Sequence, residues 1–195
     1  MRRLFTPLRT HSRQFFRTMT TEQPPPLPPL SAEDHQIFNR FSVIMDSFHN
    51  NFRRYWQDLW QTATTGIRPR GMTLRQVVNN GIDFTRYLTA HHNIEEQHLF
   101  PHLATRMSEF DGKKGLMPKQ HKQIHTGLNN LQVYLTKVSK GEVDFQTDDL
   151  KNVMEPWAEV LWSHLDAEVA SLKAENMRKY WTKEEMIAMY KKYWS

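Results

Sequence analysis

The sequence contains no cysteine. That excludes disulfides, thiolate metal sites and cysteine nucleophiles together. Seven glycines in 195 residues are few, which argues against a turn-rich all-β fold. No apolar run approaches the ~18 residues of a membrane span, so no transmembrane segment is expected. No G-x-S-x-G, P-loop or dinucleotide-binding glycine pattern is found, which removes the common hydrolase and nucleotide signatures. A basic excess is also missing from most of the chain. The net charge is +5, yet residues 1–21 hold Arg2, Arg3, Arg9, Arg13 and Arg17 and no acid, and the remaining 21 basic residues balance 21 acidic ones. A nucleic-acid-binding domain carries its Lys and Arg excess on the folded part, so no nucleic-acid partner is expected.

What is present is material for one core. The chain is 38% hydrophobic and 12% aromatic, with six Trp, eleven Phe and ten Met, enough for one domain with an appendage. Residues 1–21, rich in Arg, Ser, Thr and Phe, have the composition of a mitochondrial transit peptide. The alternative is a native start at Met19, which leaves a cytoplasmic protein. Residues 22–30, Glu-Gln-Pro-Pro-Pro-Leu-Pro-Pro-Leu, read as an extended polyproline spacer.

From Ser31 to the end of the chain the pattern is helical. Ser31 and Asp34 resemble a capping box, and apolar residues recur at Ile37, Phe41, Met45, Phe48, Phe52, Trp56 and Leu59 until Thr65-Gly66. Thr73 caps a second helix through Leu74, Val77, Phe84, Leu88 and Leu99, which Pro101 should kink or end. Pro118 opens a third, with Ile124, Leu128, Leu131, Leu135 and Val138, stopped by Gly141. Thr147 or Asp148 opens a fourth through Leu150, Met154, Trp157, Leu161 and Leu165, with Pro156 marking a kink or the true start. Thr182 and Glu185 form a capping box for a short fifth helix ending in Tyr193-Trp194. Four long amphipathic helices with short connections predict an all-α, up-down-up-down four-helix bundle. The short C-terminal helix packs across it.

The apolar stripes are interrupted by metal-ligand residue types. His49 follows Met45 by four; His91 and Glu95 continue the face of Phe84 and Leu88; His121 and His125 share the face of Leu128; His164 and Glu168 continue that of Trp157 and Leu161. Five pairs of His with His, Asp or Glu four residues later are present, where chance composition gives about 1.6. A buried ionised carboxylate costs several kcal/mol unless paired or bound to metal. Five His and two Glu facing one interior therefore predict a metal centre. A ferritin-like site needs two E-x-x-H pairs, and only Glu95–His98 is present. If the second helix continues regularly, His98 and His102 lie on the face of His91, as pocket-wall groups. His92 and Glu96 are turned about 100° away, toward solvent or a neighbouring helix.

The run His91-His92-Asn93-Ile94-Glu95-Glu96-Gln97-His98-Leu99-Phe100-Pro101 resembles the H-H-x-x-E-E-x-x-L-F-P signature of the hemerythrin-like, HHE cation-binding family. His121-x-x-x-His125, His164-x-x-x-Glu168 and His49 followed by a basic pair match its other elements, so the resemblance spans roughly residues 35–175. It implies two non-haem iron ions, oxo- or hydroxo-bridged. His121, His125 and His164 would hold one iron and His49 and His91 the other, with Glu95 and Glu168 bridging. It implies one open position for O₂, peroxide or nitric oxide. The final carboxylate, Glu168, stands four residues after its His, where oxygen-carrying hemerythrins have an Asp at five. That departure counts against a simple oxygen-storage role and leaves the metal site untouched. A metal- and oxygen-binding protein is expected ahead of an enzyme. The alternatives are a peroxide-detoxifying or oxidising di-iron enzyme and an iron- or oxygen-sensing regulatory module.

Overall fold

The computed structural model describes residues 27–194; the expected transit peptide and all but the last four residues of the proline spacer lie outside them. The described residues are helical and contain no strand. Four long helices, α1 (Ala32–Thr65), α2 (Leu74–Ile94), α4 (Leu116–Ser139) and α5 (Thr147–Ser171), carry the fold. Short α3 (Phe100–Leu103) and α6 (Ala174–Met177) and the C-terminal α7 (Lys183–Trp194) complete it.

The ends of these helices follow from local chemistry. The Ser31 hydroxyl accepts from the Asp34 N–H at 3.1 Å. Thr73 and Gln76 close a reciprocal capping box, and so do Thr182 and Glu185. Each such cap satisfies N–H groups that a helix start leaves unpaired, typically worth ~1 kcal/mol. Gly66 ends α1 with φ 70°, a left-handed geometry that costs glycine least. Pro118 sits in the first turn of α4, where its missing N–H has no intrahelical partner to lose. Pro156 lies inside α5, and the helix runs from Thr147 straight through it; of the two expected readings, the later start at Pro156 is therefore not adopted.

Each long helix touches two others: α1 packs on α2 and α5, and α4 packs on α2 and α5. Partners run in opposite order along the two pairs that include α5. His49 meets Leu165 while Trp56 meets Trp157 on α5, and His121 meets His164 while Gly127 meets Trp157. Gly127 is needed at that crossing, because a Cβ there would lie 2.2 Å from Trp157 Cγ. α7 folds back on α1, with Met186 and Met189 buried, Trp194 edge-on to Phe41 at 4.8 Å and the Arg40 guanidinium over Tyr190 at 4.3 Å.

The core is in two parts. One contains Phe52, Trp56, Leu59, Phe84, Leu88, Ile124, Leu128, Trp157 and Leu161. The other contains Phe41, Met45, Leu99, Phe100, Met117, Leu172, Trp181 and Met186. On every long helix a buried His or Glu falls where one cluster gives way to the other: His49 between Met45 and Phe52, His92 and Glu95 between Leu88 and Leu99, His121 between Met117 and Ile124, Glu168 between Leu165 and Leu172. A polar layer therefore crosses the bundle between two apolar halves.

Candidate metal centre

The layer is built from consecutive turns of four helices. His49, His92, His121, His164 and Glu168 have no exposed surface, and Glu95 is 2% exposed. Their donor atoms form two groups, each with members within 4.8 Å of one another, that could hold a metal ion. One group is His92, His121 and His164; the other is His49, His91, Glu95 and Glu168. The carboxylates reach across. Glu95 Oε1 lies 2.9 Å from His91 Nε2 and its Oε2 3.5 Å from His121 Nε2. Glu168 Oε2 lies 3.3 Å from His49 Nε2 and 3.6 Å from His164 Nε2. Each carboxylate thus touches one imidazole of each group.

Six of the seven expected ligands fall into these groups. His125 does not: it is half-buried, with its ring 5.2 Å from that of His92 and 6.3 Å from that of His121, and it lines an outer cavity with Glu96 and Lys122. His92 takes the place beside His121 and His164, stacked on the His121 ring at 3.7 Å. The expectation that His92 faces solvent or a neighbouring helix holds only in its second half, because the neighbour is α4 and the position is interior. The signal was present in the sequence. His92 follows Leu88 by four and Thr85 by seven, and both are fully buried. On a helix wedged between α1 and α4, adjacent positions 91 and 92 serve the two sides.

The helix does not continue regularly past this point. Residues Glu95–Leu99 form a π-turn in which the Phe100 N–H donates to the Glu95 carbonyl, five residues back instead of four. The extra residue resets the register. Leu99 takes the buried place and His98 is exposed. His102 is half-buried against Tyr193, its Nδ1 3.1 Å from the Tyr193 hydroxyl. Both are nonetheless pocket-wall groups, as expected: His98 lines a cavity together with His91, and His98 and His102 line a smaller one beside Tyr193.

The electrostatics follow from burial. Desolvation holds His91 down to about 4 and His121 and His164 down to about 3, and drives His92 well below the ordinary imidazole value. All four imidazoles are therefore neutral, the form that ligates metal. Burial, reinforced by the negative charge of Glu168, raises Glu95 well above the usual carboxylate range. Burial also presses Glu168 upward, but His49 and His164 outweigh it and its value falls below the ordinary one.

Two imidazoles have fixed tautomers. His49 Nδ1–H donates to the Leu165 carbonyl at 3.0 Å, and His121 Nδ1–H to the Glu96 carboxylate at 2.8 Å. Both leave the Nε2 lone pair aimed into the layer, as a metal-binding histidine requires. Many of the remaining buried atoms make no hydrogen bond of acceptable geometry, close approaches such as His91 to Glu95 notwithstanding: His49 Nε2, His91 Nε2, both His92 nitrogens, His164 Nδ1 and all four oxygens of Glu95 and Glu168. Buried polar atoms left unpaired each cost roughly 1–3 kcal/mol. A cation at the layer would satisfy many at once, and a donor set of imidazole nitrogens and carboxylate oxygens without sulfur suits iron. The residues present fit such a group.

Comparison with protein families matches residues 40–174 to the Hemerythrin HHE cation binding domain, and the chain belongs to this family. Among curated proteins it is similar to the dimeric xanthone biosynthesis cluster protein R11 of Cryptosporiopsis sp. (strain 8999), at 30% identity over 104 residues. The match covers 50% of this chain and 38% of that protein. No solved structure gives a significant match. Among the described residues, no helix is long and apolar enough to cross a membrane.

Proposed function

We propose that the protein is a non-haem di-iron protein that binds a small oxidant such as O₂, peroxide or nitric oxide. His92, His121 and His164 would hold one iron and His49 and His91 the other, with Glu95 and Glu168 within reach of both groups. The observation that carries this reading is the reach of the two carboxylates: each lies within 3.6 Å of an imidazole from both groups. A single metal would need neither to span. Five imidazoles and two carboxylates would supply nitrogen and oxygen donors for two such ions, without filling every position that iron can offer. A bound iron pair supplies redox-active coordination for the small ligand.

The chain's own residues do the rest. Glu96 and the Leu165 carbonyl orient the His121 and His49 rings and raise their basicity. The two apolar clusters exclude water on either side, which strengthens each charge interaction in the layer. The pairings between helices support reading α1, α2, α4 and α5 as an up-down-up-down bundle with α7 across one end. The test is metal analysis of protein made with iron supplied. About two irons per chain are expected; one zinc with no iron, unchanged by anaerobic iron loading, would refute the reading.

A further inference from the structure

One large cavity adjoins the metal layer, and the di-iron reading does not use it. It encloses about 750 Å³ between α1, α2 and the end of α7, within the range of small-molecule sites. Five aromatic side chains line it: Phe48, Phe52, Tyr87, Tyr193 and Trp194. Phe48 and Tyr87 remain 47% and 46% exposed, an unusual state for large apolar side chains that share one concave surface. At its floor stand His91 and Glu95; His91 is the one member of its donor group that is not fully buried. At its rim stands Lys192, exposed, with its ammonium 5.0 Å from the Tyr193 ring centroid.

The wall that α7 supplies is fixed. The Tyr193 hydroxyl donates to the His98 carbonyl at 3.1 Å and accepts from His102 Nδ1 at 3.1 Å. Trp194 is seated edge-on against Phe41. The cavity is therefore preformed, which lowers the cost of ordering on binding.

We propose that this cavity binds an aromatic carboxylate or phenolate of two or three fused rings, its rings between the aromatic walls and its acid group at Lys192. Charge sets the orientation. The one acidic residue lining the cavity is Glu95, at the floor, and Lys192 is the one Lys or Arg, at the rim. An acid group pointed inward would lose its hydration against buried Phe52 and Leu99, whereas one pointed outward stays solvated and meets the ammonium. The uncharged end of the molecule then lies against His91 and Glu95. The placement of that end beside a metal rests on the di-iron reading; binding itself does not require iron.

The experiment uses 2-naphthoate and its uncharged analogue 2-naphthalenemethanol, titrated by equilibrium dialysis into the full chain, metal-free and iron-loaded. One saturable site with a Kd on the order of 10–100 μM is expected for the naphthoate. Ala90→Trp, at an exposed position on the cavity wall, fills the space and should weaken both probes at least tenfold with helicity and iron content unchanged. Tyr87→Ala, also at an exposed position, should weaken both about threefold. Lys192→Glu should weaken the naphthoate about tenfold and leave the alcohol within twofold. Absence of saturable binding, indifference to Ala90→Trp and Tyr87→Ala, or equal loss of both probes with Lys192→Glu would each overturn the proposal. So would a dimer, seen by light scattering without probe binding, that Ala90→Trp dissociates, since the groove would then belong to a second copy. Iron loading without probe binding would refute the cavity alone; probe binding to a protein that takes up no iron would refute the di-iron centre alone.

Discussion

Replacing Glu95 by glutamine should move the metal-free and the iron-loaded protein in opposite directions. In the metal-free fold the Glu95 carboxyl is buried beside Glu168 and its pKa stands well above the ordinary 4.5. A raised folded value means that, above pH 4.5, the unfolded chain gives up this proton before the folded one does. Stability attributable to Glu95 is thus complete below pH 4.5 and is lost as the pH rises. Over the window in which the fold keeps the proton, the loss is about 1.4 kcal/mol per pH unit. The ceiling at pH 7 is therefore about 3 kcal/mol. A glutamine side chain at this position has the shape of the protonated acid and never titrates. Metal-free Glu95→Gln should match the native protein near pH 4.5 and exceed it by up to about 3 kcal/mol at pH 7.

With iron the sign reverses. Glu95 lies 2.9 Å from His91 and 3.5 Å from His121, so the substitution removes an anionic ligand shared by both ions. A loss of roughly 100-fold in affinity is expected, which at fixed iron concentration removes up to about 2.7 kcal/mol of ligand-linked stability. Urea denaturation of both forms between pH 4.5 and 7, together with iron stoichiometry, reads all of this. A metal-free variant less stable than the native protein at pH 7, or a difference independent of pH, would refute the argument. Unchanged iron affinity would separate Glu95 from the metal.

Other outcomes follow from the same geometry. Glu168→Ala should lower iron content and alter the oxo-bridge absorption, while Asp166→Ala, whose exposed carboxylate pairs with Arg53 at 2.5 Å, should leave iron intact; equal effects would show the wrong carboxylate has been chosen. His92→Ala should cost at least tenfold in iron affinity and His125→Ala less than threefold, measured by competition with a chelator; the reverse order would restore His125 to the centre. In the metal-free protein the depressed values of His91, His121 and His164 mean that stability is complete above pH 6.5 and falls toward pH 3–4, as the unfolded chain takes up protons first. Acid titration by circular dichroism should show that loss, and bound iron should shift it to lower pH. Gly127→Ala should cost about 1–3 kcal/mol by forcing Trp157 off α4; a neutral result would mean that the crossing relaxes freely.

Helix existence was legible in the sequence because each stripe is long and its caps are chemically explicit: Ser31, Thr73 and Thr182 each start a helix within a residue of the expected place. The layer was legible because ligand-type residues replace apolar ones at matching depth on four helices. His92 was not, because a one-stripe reading assigns a single inward position per turn, whereas α2 faces two neighbours. His98 and His102 do line cavities, but the helix leading to them is not regular. Pro101, expected to kink or end the helix, does stand just past the irregularity, but a proline does not announce that the break takes the form of a π-turn with one inserted residue. The cavity was invisible at that level, since Phe48, Tyr87, Tyr193 and Trp194 come from three helices and meet only through the folding back of α7.

The π-turn also explains how the layer and the second core coexist. In a regular helix through Glu95, His98 would lie on the face of His91, seven residues before it, and Leu99 on the face of His92, also seven residues before it. The inserted residue keeps His91, His92 and Glu95 in the layer while turning Leu99 into the cluster with Met45 and Trp181. Within the same turn the His98 carbonyl accepts from the Tyr193 hydroxyl. One local distortion thus sets the ligand positions of α2, closes the apolar half beyond them and anchors the wall of the cavity. Deleting Asn93 or Ile94 would test this economy: if the π-turn relaxes to regular helix, the positions after the deletion should keep their packing while the metal layer loses its register with α4. The expected result is a folded protein with low iron content. Retention of full iron content by such a deletion would show that the π-turn is incidental to the centre.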